Sequence, residues 1–226
     1  MKRSSEETRS NDSESLGGSL IDSVSRAGVV DMAAEAAEFA LDGFLEEGVF
    51  RDLPIVGWMI KTYNALGAIR DRIFIKKVAS FLAGTDAVSV SERDEFREMI
   101  QQDKSFAKKV GENLVLLLDR HEDFDKAFIL GKVFARYMKG LIQYDQFLRI
   151  AKSIEIAYVG DLISLPDYYD KIKSYNPELH RPFSSILDDE TSQSLYSSGL
   201  VRSEGYSEEI YFSNSIGEEI VKSLNE

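Results

Sequence analysis

Hydrophobic residues recur at spacings of three and four along most of this chain, a pattern that is typical of amphipathic helices. The spacing predicts helices over residues 28–48, 55–82, 106–118, 124–138 and 144–165. A further helix is expected to open at Ser91, because Ser91 and Asp94 have the spacing of a capping box. Gly140 and Pro166 are expected to end the helices that precede them. Residues 21–165 are therefore predicted to form an α-helical domain.

The segments that flank this domain are polar and poor in apolar residues. Residues 1–20 are rich in serine and mixed charges, and they end at Gly17 and Gly18, so we expect a disordered leader. The leader contains no apolar core of a signal peptide. Residues 166–188 contain Pro166, Pro177 and Pro182, which makes this segment the expected junction with a second unit.

Two neighbouring helices carry opposite charges. The predicted helix 28–48 has an acidic stripe, whereas the segment 55–82 has five basic residues and a single acid. In one interpretation, 55–82 is a core helix whose basic stripe faces the acidic one, and Asp42 or Glu46 pairs with any basic side chain that is buried. Arg70 and Lys77 are the candidates for burial, because both fall within the apolar half of the helix.

The alternative interpretation of 55–82 is a helix that lies on a membrane surface. Its basic side would contact anionic headgroups, while its apolar side would enter the bilayer. The residues assigned to this surface, or to a helix partner, are Trp58, Lys61, Arg72, Lys76 and Phe81. The stretch is not uncharged over 18 residues, so it is not predicted to span a membrane.

An internal similarity links two helix ends within the helical part. Phe81-Leu82-Ala83-Gly84 precedes Phe96, and Tyr137-Met138-Lys139-Gly140 precedes Phe147, so in both places a helix ends at glycine and another follows shortly. This layout is similar to that of tellurite-resistance-type helical domains, which repeat such turns. The register of the two copies differs by five residues, and the acidic ligand signature of that family is not matched.

The C-terminal residues follow a different pattern. A polar helix leads into Gly199-Leu200-Val201, a polar turn, a second apolar run at Ile210–Phe212 and a closing helix. This order resembles the second half of a winged helix, and the resemblance implies that residues 166–226 form a small α/β unit with a recognition helix over 187–198. The alternative is a simple β-hairpin with its turn at Glu204-Gly205.

The negative charge of this C-terminal segment disfavours binding to nucleic acid. From Asp167 onward it has twelve acidic residues and five basic ones, whereas a surface that binds phosphates must be basic. We therefore expect contact with a protein, and with a basic one. The residues predicted to meet that partner are Glu204, Glu208, Glu209, Asp188 and Asp189.

Composition narrows the chemistry further. The 226 residues carry a net charge of −12, which disfavours non-specific binding to nucleic acid or anionic lipid. There is no cysteine, and the two histidines, His121 and His180, are too few to favour a metal centre based on histidine. His121 lies among carboxylates, which is compatible with a general base or with an ordinary turn between helices capped by Asp123. No nucleophile-elbow or phosphate-loop motif is present, so we predict neither catalysis nor a cofactor.

Together these observations predict a mainly α protein, with a multi-helix N-terminal domain and a small α/β winged-helix-like unit. The expected function is that of a non-enzymatic, cytoplasmic interaction or regulatory protein that acts through protein contacts. A membrane-associated effector using the helix 55–82 is the first alternative. A winged-helix transcriptional regulator is the second, and the acidic charge makes binding to nucleic acid the least favoured of the three.

Overall fold

The computed structural model describes residues 15–26, 28–29, 53–63, 69–174, 189–204 and 210–226. These residues are mainly helical, with one two-stranded antiparallel sheet near the C-terminus, as the sequence predicts. The chain divides into two compact units, residues 1–141 and residues 142–226, called unit 1 and unit 2 below. The predicted helix 28–48 lies almost entirely outside the described residues.

Six helices make up the described part of unit 1. They are α1 (Leu16–Val24), α2 (Pro54–Tyr63), α3 (Ile69–Ala83), α4 (Val90–Gln102), α5 (Lys104–Arg120) and α6 (Phe124–Met138). The bounds of α6 are those that the sequence predicts, and Gly140 follows it with a φ of 69°. The segment predicted as one helix over 55–82 contains the two helices α2 and α3.

Helix α1 overlaps the segment predicted to be a disordered leader. It begins at Leu16, after Ser15, whose side chain accepts a hydrogen bond from the backbone N–H of Gly18. Leu20 is fully buried. The predicted leader boundary at residue 20 is therefore wrong, because the serines and glycines of this segment permit a close helix contact; residues 1–14 lie outside the described range.

Pairs of glycines bring two pairs of helices into close contact in unit 1. A Cβ atom at Gly17 of α1 would lie 2.7 Å from the carbonyl carbon of Gly111 in α5. A Cβ atom at Gly84, directly after α3, would lie 3.0 Å from Cα of Gly131 in α6. Neither distance leaves room for a methyl group, so both crossings depend on the absence of side chains.

An aromatic cluster fills the core between α3, α4 and α6. Phe134 lies at the centre, with ring centroids 5.5 Å from Phe81, 5.8 Å from Phe96 and 5.5 Å from Tyr137. Phe81, Phe96 and Phe134 are at most 1% exposed. Tilted and edge-to-face arrangements of this kind add to the stabilisation from burial of the rings.

A buried arginine joins three segments of unit 1. The Arg93 guanidinium, in α4, donates 2.6 Å hydrogen bonds to the carbonyl oxygens of Val24 and Thr85. Val24 is the last residue of α1, so Arg93 satisfies a helix-end carbonyl that has no intrahelical partner. Burial lowers the pKa of Arg93 to about 10, although Asp86 and Glu92 oppose this shift. Arg93 therefore stabilises the packing of α1 against α4.

Helix α4 begins two residues earlier than the sequence suggests. Its N-cap is Ser89, whose hydroxyl accepts a hydrogen bond from the N–H of Glu92, while the Glu92 carboxylate accepts one from the N–H of Ser89. The capping box predicted at Ser91 and Asp94 is therefore wrong in register. Glutamate at the third helical position reaches the cap backbone, whereas aspartate is shorter.

Unit 2 contains five helices among its described residues, together with the β-hairpin. The elements are α7 (Tyr144–Ile156), α8 (Val159–Ile163), α9 (Leu165–Ser174), α10 (Asp189–Ser197), β1 (Val201–Glu204), β2 (Ile210–Ser213) and α11 (Ser215–Asn225). Helix α7 packs on α11, and α9 packs on both α11 and β2. These contacts place α7, α8 and the first residues of α9 in unit 2, so the units divide at 141/142 rather than at the predicted 165/166.

The segment predicted as one helix over 144–165 forms α7, α8 and the start of α9. Ala157 and Tyr158 have extended backbone, with ψ of 147° and 136°, and they separate α7 from α8. Pro166 lies in the first turn of α9 and so does not stop a helix. Proline is tolerated there because the first helical N–H groups have no intrahelical acceptor.

Candidate functional site

Helix α10, which lies within the segment 187–198 that the sequence predicts as a recognition helix, presents an acidic and aromatic face. Glu190, Gln193, Tyr196 and Ser197 are exposed and fall within about a third of the helix circumference. Tyr196 keeps 52% of its surface exposed. Helix α10 contains no lysine or arginine. Such a face does not neutralise phosphates, but it is suited to contact with a protein.

The opposite face of α10 is anchored within unit 2. Leu195 is fully buried, and the Ser194 hydroxyl donates a hydrogen bond to the Asp161 carboxylate in α8. Asp161 itself is only 8% exposed. A buried carboxylate needs such hydrogen-bond donors. Helices α8 and α10 are therefore in direct contact, and their exposed faces are neighbours on the surface of unit 2.

The β-hairpin that follows α10 has one buried and one more exposed face. Val201 pairs with Ser213 and Ser203 pairs with Tyr211, and the side chains of Val201 and Tyr211 are buried. Arg202 pairs with Phe212 on the other face, with its guanidinium carbon 5.0 Å from the ring centroid. This alternation is that of a sheet with one face against a core.

A tyrosine joins α9 to both ends of the hairpin. The Tyr169 hydroxyl donates a hydrogen bond to the Leu200 carbonyl oxygen and accepts one of 3.3 Å from the N–H of Asn214. Asn214 also caps α11, and its side-chain amide donates a 2.9 Å bond to the Gly199 carbonyl. Burial raises the pKa of Tyr169 to about 12. These bonds fix the position of the hairpin within unit 2.

Three large apolar side chains that are close together in sequence are exposed at the end of α7, in the turn that follows it and at the end of α8. Ile156 is 54% exposed, Tyr158 is 68% exposed and Ile163 is 57% exposed. They are called the α7–α8 apolar patch below. Isolated exposed apolar residues are ordinary, whereas these three concentrate apolar surface within eight residues of the chain. The sequence does not reveal the patch, because a continuous helix is predicted across it.

The acidic residues predicted for partner contact are only partly described. Asp189 is the first residue of α10, and Glu204 is the last residue of β1. The structure does not describe their side chains. Asp188, Glu208 and Glu209 lie outside the described residues. The role of these five residues therefore stays a prediction.

The two candidates for buried charge have different environments. The Arg70 side chain is 83% exposed and lies 3.3 Å from the Asp119 carboxylate, so its predicted burial is wrong. Lys77 is 8% exposed, and its ammonium donates a 3.1 Å hydrogen bond to the Asp119 carbonyl oxygen. Burial lowers the pKa of Lys77. The partner of both is Asp119, in the last turn of α5. Asp42 and Glu46, the partners that the sequence predicts, lie outside the described residues.

The remaining residues of the predicted membrane surface do not share one exposed face. Phe81 is fully buried in the aromatic cluster, so its predicted role as an exposed anchor does not hold in this structure. The Lys76 ammonium lies 4.7 Å from the centroid of the Phe124 ring. Trp58 and Arg72 are half-buried, and the side chain of Lys61 is not described. Among the helices of the described ranges, none combines the length and apolar character that crossing a bilayer requires.

His121, the candidate general base, lies in the turn between α5 and α6. It is 1% exposed, and its neighbour Asp123 caps α6 by accepting a hydrogen bond from the N–H of Asp125. The described residues contain no group of three or more His, Asp or Glu side chains arranged to hold a metal ion. The geometry at His121 is that of a turn between helices, with the carboxylates on the solvent side.

Comparison with known proteins gives no relative from which a function can be transferred. Neither the models of known families, nor the curated proteins, nor the solved structures contain a match to this chain. A proposal for function therefore depends on the surfaces of the two units.

Proposed function

We propose that this chain is a non-enzymatic interaction protein, and that unit 2 provides its main contact surface for another protein. The observation that carries the proposal is the α7–α8 apolar patch. Ile156, Tyr158 and Ile163 each keep more than half of their surface exposed, although burial of one such side chain is worth about 1.5 to 3 kcal/mol. A protein partner that covers the patch recovers this stabilisation.

The charge of unit 2 supports a basic partner. Residues from Asp167 onward have more than twice as many acids as bases, and the exposed face of α10 includes Glu190 without any basic residue. A partner that covers the α7–α8 apolar patch and also reaches α10 would meet acidic residues beside an apolar centre. A polar rim around an apolar centre is the usual arrangement of a protein interface. Rim charges mainly affect the association rate and its salt dependence.

The winged-helix-like architecture is part of the same proposal. Helix α10, the hairpin and α11 follow one another in the order of the second half of a winged helix. A simple helix–hairpin–helix unit has the same order. Because recognition of nucleic acid by either arrangement needs basic residues on the presenting helix, protein contact is the proposed use in both cases.

The experiment is a quantitative affinity purification from the native cell with three forms of the full-length protein. They are the wild type, Ile163→Ser in the patch, and the control Leu116→Ser, which changes a side chain of similar exposure (52%) in unit 1. We expect the control to retain a protein that Ile163→Ser loses. If every recovered protein binds all three forms equally, the proposed surface is wrong.

The contribution of the acidic residues of unit 2 to binding is tested with the partner that this purification identifies. Reversal of charge at Glu204, Glu208 and Glu209 should weaken binding, and raising the salt concentration should weaken the wild type more than the variant. Salt-independent binding that the reversal leaves unchanged would contradict the proposal of a basic partner. Tight, sequence-selective DNA binding in a gel shift would instead favour a transcriptional regulator.

A further inference from the structure

Unit 1 contains a cleft of about 360 Å³ where α1, α4 and α5 meet. Each helix contributes residues from one face: α1 provides Ile21 and Asp22, α4 provides Arg97 and Ile100, and α5 provides Lys104 and Lys108. The volume is at the lower end of the range of small-molecule sites, about 300 to 1,000 Å³. The cleft is therefore large enough for a small organic molecule.

The inner wall of the cleft is apolar. Ile21 is 5% exposed and Ile100 is 1% exposed, so both belong to the core of unit 1 and border the cleft from inside. Gly18 also lines the cleft, and its lack of a side chain keeps the space open beside α1. A ligand that fills this space must have an apolar part.

Basic side chains outnumber acidic ones around the cleft, in contrast to the net charge of −12 for the whole chain. Lys104 and Lys108 lie one turn apart on α5, and Arg97 faces them from α4. Arg97 is held in place by the carbonyl oxygen of Ser25 and by a 3.0 Å contact with Asp94. Lys108 lies 3.9 Å from the Glu112 carboxylate. Lys104 lines the cleft without a carboxylate within ion-pair distance among the residues that the structure describes.

Asp22 is the single acidic residue that lines the cleft. Burial raises the pKa of its carboxyl group, while Arg26 and Arg97 act in the opposite direction. Three cationic side chains and one carboxylate line the cleft. Because Arg97 and Lys108 also have Asp94 and Glu112 as partners, the attraction for an anion comes mainly from Lys104. Asp22 is also an acceptor for any hydrogen-bond donor that the ligand carries.

We propose that this cleft binds a small organic anion with an apolar body. The acidic group of the ligand contacts Lys104 and Lys108, and its apolar part lies against Ile21 and Ile100. This site is independent of the protein-contact surface proposed for unit 2, because all of its residues belong to unit 1.

The test uses octanoate as the probe and the full-length protein. We expect octanoate to bind with a dissociation constant below about 1 mM, measured by calorimetry, and to shift the methyl NMR signals of Ile21 and Ile100. The double variant Lys104→Gln/Lys108→Gln should weaken binding about tenfold. The control Lys109→Gln removes the same charge from an exposed position of α5 that does not line the cleft, and it should stay within twofold of wild type.

Two further measurements establish the sign of the charge. Octylammonium, which has the same tail and the opposite charge, should bind at least tenfold more weakly than octanoate. Asp22→Asn should tighten octanoate binding by about twofold to threefold, because it removes a like charge. The proposal is overturned if octanoate does not bind at millimolar concentration, if both probes bind equally, or if the double variant binds as the wild type does while circular dichroism shows it folded.

Discussion

Gly17 of α1 lies directly against Gly111 of α5, with backbone touching backbone. A Cβ atom at Gly111 would lie 3.0 Å from Cα of Gly17, and one at Gly17 would lie 2.7 Å from the carbonyl carbon of Gly111. Both glycines are buried. The contact packs α1 closely against α5. It therefore determines the width of the cleft that α1 shares with α4 and α5.

Replacement of Gly111 by alanine should lower the free energy of unfolding by about 2 kcal/mol. The new methyl group forces α1 away from α5, and this cost exceeds the gain in helix propensity of about 1 kcal/mol. Urea unfolding measures the change, and hydrogen exchange should show faster exchange in α1 than in α6. Gly160→Ala is the control, since its methyl group would meet only the exposed Tyr158 ring. Equal stability of Gly111→Ala and wild type would show that α1 does not pack as described.

Arg93→Met should destabilise unit 1 by about 2 to 4 kcal/mol. The variant leaves the carbonyl oxygens of Val24 and Thr85 buried without the donors that Arg93 provides. Arg120→Met, which removes an exposed arginine from the last turn of α5, should cost less than about 1 kcal/mol. Thermal unfolding compares the two variants. If Arg93→Met lowers the stability no more than Arg120→Met does, water must replace Arg93 as the hydrogen-bond donor to the carbonyl oxygens of Val24 and Thr85.

Tyr169→Phe should destabilise unit 2 by about 1 to 2 kcal/mol at neutral pH, because Leu200 and Asn214 lose their hydrogen-bond partner. The folded-state pKa of Tyr169 is raised to about 12, above its ordinary value of 10.0. Its contribution is therefore complete below pH 10 and is lost as the pH rises from 10 to 12.

The stability difference between wild type and Tyr169→Phe should accordingly narrow across this pH window. Denaturant unfolding at several alkaline pH values measures it, with Tyr168→Phe as the control for the neighbouring half-buried tyrosine. If the stability difference between wild type and Tyr169→Phe stays constant up to pH 12, the Tyr169 hydroxyl does not titrate with the raised pKa.

The strongly periodic elements of this fold can be predicted from the sequence. The breaks between helices cannot, where one or two residues change the direction of the backbone. Helix α6 is predicted with its bounds because its apolar spacing, its Asp123 cap and Gly140 all agree. The break between α7 and α8 is missed because Ala157 and Tyr158 show no breaker signal. Pro166 is predicted to end a helix because proline cannot continue one, but its fixed φ also suits the first turn of a helix.

The candidate surfaces were less predictable than the helices. The α7–α8 apolar patch depends on that missed break, so no periodic pattern could reveal it. The cleft in unit 1 combines residues that are far apart in sequence, such as Asp22 and Lys104, and only the packing of α1 brings them together. The sequence cannot distinguish a membrane face from a core position at Phe81, because a half-apolar helix has the same pattern whether it contacts lipid or a protein core.

Site-specific photo-crosslinking in the native cell tests the central claim most directly. The photoreactive residue p-benzoylphenylalanine is placed at position 158, in the α7–α8 apolar patch, and separately at position 116 in unit 1 as a control of comparable exposure. We predict a discrete covalent protein adduct at position 158 that is absent at 116 and is lost when Ile163→Ser is added. Absence of an adduct at 158, or the same adducts at both positions, would contradict the account.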